Sequence, residues 1–94
     1  MKVEKRELHD GYQAVFTFNN GFGLSVVHHS FSYDIEAGLL KNGKLVYDGK
    51  KFMDVIGYLD EQELIELIQW TSALPADYQV DESPLVADEQ NNAI

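Results

Sequence analysis

The sequence predicts a small α+β domain, in which an antiparallel meander of four to five strands carries one carboxy-terminal helix on one face. Two turn clusters, Asn19-Asn20-Gly21 and Asn42-Gly43, are each flanked by apolar and β-branched segments, which is typical of successive hairpins. A later segment places apolar residues at helical spacing behind a strong N-cap. The 94 residues suffice for one domain, and a hydrophobic fraction of 45% supports a packed core.

The first predicted strand covers Val3–Leu8 and is the weakest, because it mixes both signs of charge with few apolar residues. Charged side chains on a strand discourage further pairing along its free side. We therefore expect this strand at an edge of the sheet.

The alternation of side chains between the two faces of a strand decides the register of the first hairpin. A two-residue turn at Asn20-Gly21 would place Phe18 opposite Gly23 and Phe16 opposite Ser25. A three-residue loop instead places Phe18 opposite Phe22, Phe16 opposite Leu24 and Ala14 opposite Val26, which aligns one apolar face. Gly21 also suits the left-handed position of such a loop, so the three-residue loop is predicted.

The second hairpin is predicted over 35–47, around Asn42-Gly43, the strongest two-residue hairpin turn. It would place Leu40 opposite Leu45 on one face and Leu39 opposite Val46 on the other. Because both faces then carry apolar residues, either the hairpin is covered on both sides or one face is a docking surface.

The helix is predicted to begin after Asp60, a good N-cap, with Glu63 completing a capping box and Leu59 stapling to Leu64. Pro75 ends it. The residues at helical spacing that should face the sheet are Leu64, Leu67, Ile68, Thr71 and Leu74. The preceding segment, Phe52–Leu59, is ambiguous: Asp54 can cap one short turn that Gly57 would break.

The predicted domain spans residues 1–75, and residues 76–94 are predicted to form an acidic, flexible tail. The tail has no helix signature and too few large apolar side chains for a core of its own.

Charge is distributed unevenly along the chain. Residues 1–51 hold all seven basic residues against six acidic ones, whereas residues 52–94 hold ten acidic residues and no basic one. A net charge of −9 opposes direct binding to nucleic acid. The absence of cysteine excludes disulfides and thiolate chemistry. Because no signal-peptide or membrane-spanning run is present, a cytoplasmic location is expected.

Catalytic and metal-binding motifs are weak. His28 and His29 are adjacent, and in a strand their side chains point to opposite faces, so they cannot share one metal ion. Ser25, Ser30 and Ser32 lack a nucleophile-elbow pattern, and the glycines of Asn20-Gly21-Phe22-Gly23 are explained by a turn. We expect no cofactor and no catalytic residue.

The acidic helix is the strongest candidate for a binding surface. Carboxylates at Asp60, Glu61, Glu63 and Glu66 would form an anionic surface that meets a basic partner, with Trp70 or Tyr58 as an aromatic anchor. On a helical wheel Glu66 falls away from the apolar stripe, and Glu63 and Trp70 flank it. The simpler interpretation is a solvated helix face.

Three stretches together resemble small, mostly uncharacterised accessory proteins of tailed bacteriophages. The stretches are 18–33, 54–60 and 64–74, and the resemblance covers roughly residues 12–75. No assigned activity comes with this pattern. The setting it implies is a host bacterial cytoplasm, in which small acidic phage proteins often bind and inhibit a host enzyme.

The functional prediction is therefore a non-enzymatic phage accessory protein that binds and modulates or inhibits a host protein, for example a nucleic-acid-binding enzyme, through its acidic surface. One alternative is a small metal-dependent or acid/base enzyme using His28 or His29. Another is a self-associating structural protein, a possible homodimer that uses the second apolar face of the 35–47 hairpin.

Overall fold

The computed structural model describes residues 1–8, 10–29 and 35–83, and these form one antiparallel sheet with a helix on one face. The elements are β1 (Lys2–Leu8), β2 (Gly11–Thr17), β3 (Phe22–His29), β4 (Ile35–Lys41), β5 (Lys44–Val46) and α1 (Glu61–Ser72). The strand order is β1-β2-β3-β4-β5, and each neighbouring pair is antiparallel. The predicted α+β meander with a carboxy-terminal helix is confirmed, with β1 at an edge as expected.

The first hairpin has the predicted three-residue loop. Phe16 pairs with Leu24 and Ala14 with Val26. The Phe18 N–H donates to the Phe22 carbonyl at 2.9 Å, which closes the loop. Gly21 has φ +87°, a conformation that side chains with a Cβ rarely adopt.

The second hairpin also has the predicted register, with Leu39 opposite Val46 and Leu40 opposite Leu45. Asn42 (φ 51°) and Gly43 (φ 83°) are both left-handed, as a type I′ turn requires. This turn matches the right-handed twist of the strands and holds the two apolar sets on opposite faces.

The segment between β5 and α1 is irregular, and the short helical turn considered at Asp54 does not form. Its carboxylate instead accepts from the next N–H, that of Val55, at 2.8 Å. Ile56 exchanges two 2.8 Å backbone hydrogen bonds with Ala37, so the segment continues along the same edge of β4 that β5 occupies. The tertiary pairing with β4 therefore prevails over the weak local capping signal.

The helix begins as the sequence predicts. Asp60 Oδ1 accepts from the Glu63 N–H at 2.7 Å, and Glu63 Oε1 accepts from the Asp60 N–H at 3.0 Å. These two bonds are the capping box. The helix ends at Ser72, with Ala73 as C-cap, so Leu74 packs beyond its last turn.

The core lies between the sheet and α1. Its buried residues are Phe18, Phe22, Leu24, Val26, Ala37, Leu39, Val46, Phe52, Leu59, Leu67 and Leu74. The predicted stripe faces it: Thr71 is also buried, and Leu64 and Ile68 pack against it half-buried.

Asn20, in the first hairpin loop, holds the end of the helix. Its Nδ2 donates to the carbonyls of Thr71 and Leu74, both at 2.9 Å. Its Oδ1 accepts from the Phe22 N–H at 3.0 Å. One side chain thus satisfies carbonyls that the helix end leaves without intrahelical partners and ties them to the sheet.

The chain after the helix returns to the sheet. Asp81 exchanges two 2.8 Å backbone hydrogen bonds with Tyr47. The Tyr78 ring meets Phe22 and Trp70 edge-on, at centroid distances of 6.1 and 5.9 Å. Residues 76–83, which the sequence assigns to the tail, therefore contact the domain beyond the predicted boundary at residue 75. Residues 84–94 of the predicted tail lie outside the described residues.

Candidate functional site: a groove with acidic walls beside the helix

A groove of about 190 Å³ separates α1 from the irregular segment before it. We call it the helix groove; it is lined by Lys51, Ile56, Leu59, Glu63, Glu66 and Leu67. Three of these residues are apolar and three are charged. The groove exists because Ile56 is tied to β4 while α1 packs on the core, so the two segments lie side by side with a gap between them.

Two of the four predicted acidic residues line this groove. Asp60, Glu61, Glu63 and Glu66 are all exposed, and α1 contains no lysine or arginine. Glu63 and Glu66 line the groove itself, whereas Asp60 and Glu61 stand at the start of the helix. Acidic groups here also interact favourably with the positive end of the helix dipole.

Glu63 and Glu66 differ in what else they do. Glu63 closes the capping box, so its carboxylate also holds the helix start. Glu66 is exposed and accepts one long hydrogen bond, 3.4 Å, from the Gln62 side chain. Glu66 is therefore the groove carboxylate that can be replaced with least effect on the helix.

Tyr58 is the most exposed large apolar side chain of the described residues, at 82%. It also has φ +56°, a left-handed conformation that costs a residue with a Cβ about 1 kcal/mol or more. Tyr58 precedes the buried Leu59 and the N-cap Asp60, so the turn aims one neighbour into the core and the tyrosine into solvent.

Trp70 packs differently from the exposed anchor that the sequence suggests. It is half-buried, and its ring lies 5.9 Å from each of the rings of Phe52 and Tyr78. The Lys51 ammonium lies 5.3 Å from its ring centroid, a cation–π distance. Trp70 does not line the helix groove, although Lys51 connects the two.

Lys51, Ile56, Leu59 and Leu67 are groove residues that sequence reasoning did not select. Leu59 and Leu67 were assigned to the staple and to the buried stripe, and both are indeed buried. Lys51 and Ile56 belong to a segment with no regular periodicity. The signal that could have found Ile56 is its position between Asp54 and Gly57, where a short apolar run must bury some side chain.

Two lysines lie close to the described segment that follows the helix. Glu82 forms a 3.6 Å ion pair with Lys44, and the Lys41 ammonium donates to the carbonyl of Ala76. The helix groove, in contrast, has Lys51 as its single lining cation against two carboxylates. The negative potential of the described residues should therefore be strongest at the helix side.

Asp48 and Tyr78 form a second polar contact at the far end of the helix. The Tyr78 hydroxyl donates to Asp48 Oδ2 at 2.6 Å, and Asp48 Oδ1 accepts from the N–H groups of Lys50 and Phe52. Burial raises the pKa of Asp48, but these hydrogen bonds outweigh it and leave the pKa below its usual value. The hydrogen bond to Asp48, together with burial and the charge of that carboxylate, raises the pKa of Tyr78 to about 12.

The histidines offer little chemistry in the part of the chain described. His28 is exposed on β3 and lies between Tyr12 and Ile35 on the neighbouring strands. Within residues 1–8, 10–29 and 35–83, no group of three or more His, Asp or Glu side chains is arranged to hold a metal ion. Ser30, Ser32 and the side chain of His29 lie outside the described residues.

No helix in the described ranges is long and apolar enough to cross a membrane. Comparison with known proteins found no family model, no curated protein and no solved structure that matches the chain.

Proposed function

We propose that this chain is a non-enzymatic accessory protein that binds a basic segment of another protein in the helix groove. The observation that carries the proposal is the combination of apolar and acidic lining in one groove, with the exposed Tyr58 one residue before the groove-lining Leu59. The occupant with matching chemistry is an apolar side chain flanked by lysine or arginine.

The size of the groove favours a side chain over a free metabolite. Pockets for small molecules usually measure about 300–1,000 Å³, and this groove measures about 190 Å³. An apolar side chain in contact with Ile56, Leu59 and Leu67 would be desolvated, while cationic neighbours remain near Glu63 and Glu66.

Charge favours the same class of partner. Carboxylates at the rim repel nucleic-acid phosphates and attract lysine and arginine. Exposed charge pairs are screened over about 10 Å at 0.1 M salt. Association should therefore be fast at low ionic strength and fall as salt is added.

Tyr58 supports a binding role through its conformation. Tyr58 is left-handed and 82% exposed, so it buries little apolar surface in the fold. Strained residues persist where the surroundings fix them, and they concentrate at binding sites. Tyrosine is also enriched among the few residues that dominate interface energies.

The resemblance to phage accessory proteins supplies the biological setting of the proposal. In that setting the chain acts in a host bacterial cytoplasm, and its partner is a host protein, for example an enzyme whose basic surface handles nucleic acid. The groove chemistry supports a basic partner; the phage setting depends on the resemblance alone.

The test is capture from a bacterial lysate with three forms of the chain. Wild type is compared with the double variant Tyr58→Ala/Glu66→Lys and with Glu7→Lys, which makes the same kind of charge change on exposed β1. Glu63 is left intact because its loss would also remove the helix cap.

The expected result is one dominant, salt-sensitive partner that wild type and Glu7→Lys retain equally. The groove variant should bind that purified partner at least about tenfold more weakly, about 1.4 kcal/mol. Equal affinity of all three forms would place the interface elsewhere, and no enriched protein would remove the proposal.

A further inference from the structure

The sheet has a second face, turned away from α1, that the proposed function does not use. Residues directly opposite each other on paired strands share a face, so the register assigns its members. We call this the open face; its strand residues include Lys2, Glu4, Arg6, Leu8, Gly11, Gln13, Val15, Thr17, Gly23, Ser25, Val27, Glu36, Gly38, Leu40 and Leu45.

Two apolar hollows lie on the open face. The first, about 270 Å³, lies at the turn end of the face, where Val15, Thr17, Gly23 and Leu40 line it together with the turn residues Gly21, Asn42 and Gly43. The second, about 150 Å³, is centred on Gly38 and bounded by Leu45 and Val55, which remain 41% and 42% exposed. Leu45 and Val55 lie directly over Gly38, so a side chain from outside would contact these two residues rather than the glycine.

The charge on the open face is balanced, although the chain carries −9. Its strand residues include two cations, Lys2 and Arg6, and two anions, Glu4 and Glu36. The acidic residues of α1 lie on the opposite side of the sheet. Two copies of this chain can consequently approach through their open faces with little of the repulsion that their net charge would otherwise cause.

The charges are also ordered so that the face complements itself. One row across the sheet runs from Arg6 through Gln13 and Val27 to Glu36, which places opposite charges at its two ends. A two-fold axis parallel to the strands, between β2 and β3, brings Arg6 of each copy against Glu36 of the other. This is the self-complementarity that an isologous dimer interface requires.

On the two central strands the same rotation matches large side chains with small ones, while on the outer strands it places Lys2 over Leu40 and Glu4 over Gly38. Val15 of one copy lies over Ser25 of the other, and Thr17 lies over Gly23 and its hollow. The sheets then pack with their strands nearly aligned, a usual arrangement for two sheets face to face.

We propose that the open face binds a second copy of this chain, as a two-fold dimer held by reciprocal Arg6–Glu36 pairs. Five strands spaced about 4.8 Å apart, with about 3.4 Å per residue, present roughly 20 Å by 20 Å, or about 400 Å² per copy in projection. Stable interfaces bury about 600–1,000 Å² per partner. The dimer is therefore weak and forms only at high protein concentration.

Sedimentation equilibrium from about 5 to about 500 μM measures the dissociation constant of the dimer directly. Arg6→Glu and Glu36→Arg are each expected to weaken the dimer at least about tenfold, because each variant sets two like-charged pairs against each other. The double variant Arg6→Glu/Glu36→Arg restores both pairs and should return to within about threefold of wild type.

Lys5→Glu is the matched control. It makes the same charge change as Arg6→Glu on the neighbouring residue of β1, but on the other face, where its ammonium lies 5.1 Å from the Tyr12 ring centroid. It should leave the dimer unchanged, and circular dichroism checks that each variant is folded.

A chain that stays monomeric throughout this range overturns the proposal. So does a dimer that neither single reversal weakens, or one that the double variant fails to restore. The helix groove is on the other side of the sheet, so groove variants test the proposed function independently.

Discussion

The two faces of the sheet are built from the same strands and have opposite surroundings. On the face under α1, Phe22, Leu24 and Leu39 are fully buried. On the open face, Leu45 is 41% exposed, and glycine occupies positions 23 and 38. The alternation of a strand thus divides one apolar sequence between a face that stabilises the fold and a face that remains available for contacts.

Replacing one leucine on each face should show most clearly that the two faces differ in their contribution to stability. Leu39→Ala removes a fully buried side chain and is expected to lower the free energy of unfolding by about 3 kcal/mol. Leu45→Ala should lower it by less than about 1 kcal/mol, because much of that side chain is already in water. Urea denaturation at low protein concentration measures both values, and similar losses for the two variants would contradict the assignment of faces.

Asn20→Ala tests how strongly the Asn20 side chain holds the end of α1 against the covered face of the sheet. The substitution leaves the carbonyls of Thr71 and Leu74 and the N–H of Phe22 without their side-chain partner. The free energy of unfolding should fall by about 2 kcal/mol. Asn19→Ala, in the same loop and exposed, should change it by less than about 0.5 kcal/mol. An equal effect of the two variants would mean that the loop itself, rather than the helix contact, matters.

Tyr78→Phe should have a smaller effect, about 1 kcal/mol near neutral pH, because the packing of the ring on Phe22 and Trp70 is kept. The pH dependence of this loss of stability shows whether the hydrogen bond from Tyr78 to Asp48 causes it. Tyr78 keeps its proton in the folded chain up to a pKa of about 12, whereas the unfolded side chain ionises near 10. This contribution is complete below pH 10 and is lost as pH rises toward 12.

Asp48 gives the acid counterpart of the same contact. Its folded pKa lies below the ordinary value of 3.8, so its contribution is present above that pH and is lost as pH falls further. The difference in unfolding free energy between wild type and Tyr78→Phe should therefore shrink at both extremes of pH. A difference that stays constant with pH would mean that the hydroxyl contributes no stability.

Tyr58→Gly should give the smallest effect and the opposite sign. Glycine adopts φ +56° without strain, so the free energy of unfolding is expected to rise by up to about 1 kcal/mol, measured by urea denaturation. Partner binding should weaken at the same time, since the aromatic ring is lost. A loss of stability would show that the tyrosine serves the fold.

Most of the fold could be predicted because local signals and tertiary packing agree. The parity of Phe16 and Phe18 fixes the first register, Asn42-Gly43 fixes the second, and the Asp60–Glu63 capping box fixes the start of the helix. Each of these signals lies within a few residues, and each favours the same sheet as the hydrophobic pattern does.

The remaining features depend on contacts between distant residues. In the sequence, Asn20 looks like an ordinary turn residue. Its hydrogen bond to the Thr71 carbonyl joins residues that are 51 positions apart. Tyr78 sits in a segment that composition assigns to a tail, yet it contacts Asp48, 30 residues earlier. The carboxylates of the candidate site could be predicted, but the apolar floor of the groove could not, because it depends on where Ile56 is tied to β4.

The strand order of the meander has a consequence for how the chain folds. Each strand pairs with its neighbours along the chain, so the sheet can grow one hairpin at a time without closing long loops. The helix is tied to the loop that contains Asn20, whose partners Thr71 and Leu74 lie 51 and 54 positions later. Formation of the sheet should therefore be rapid, and docking of the helix requires this contact of longer range.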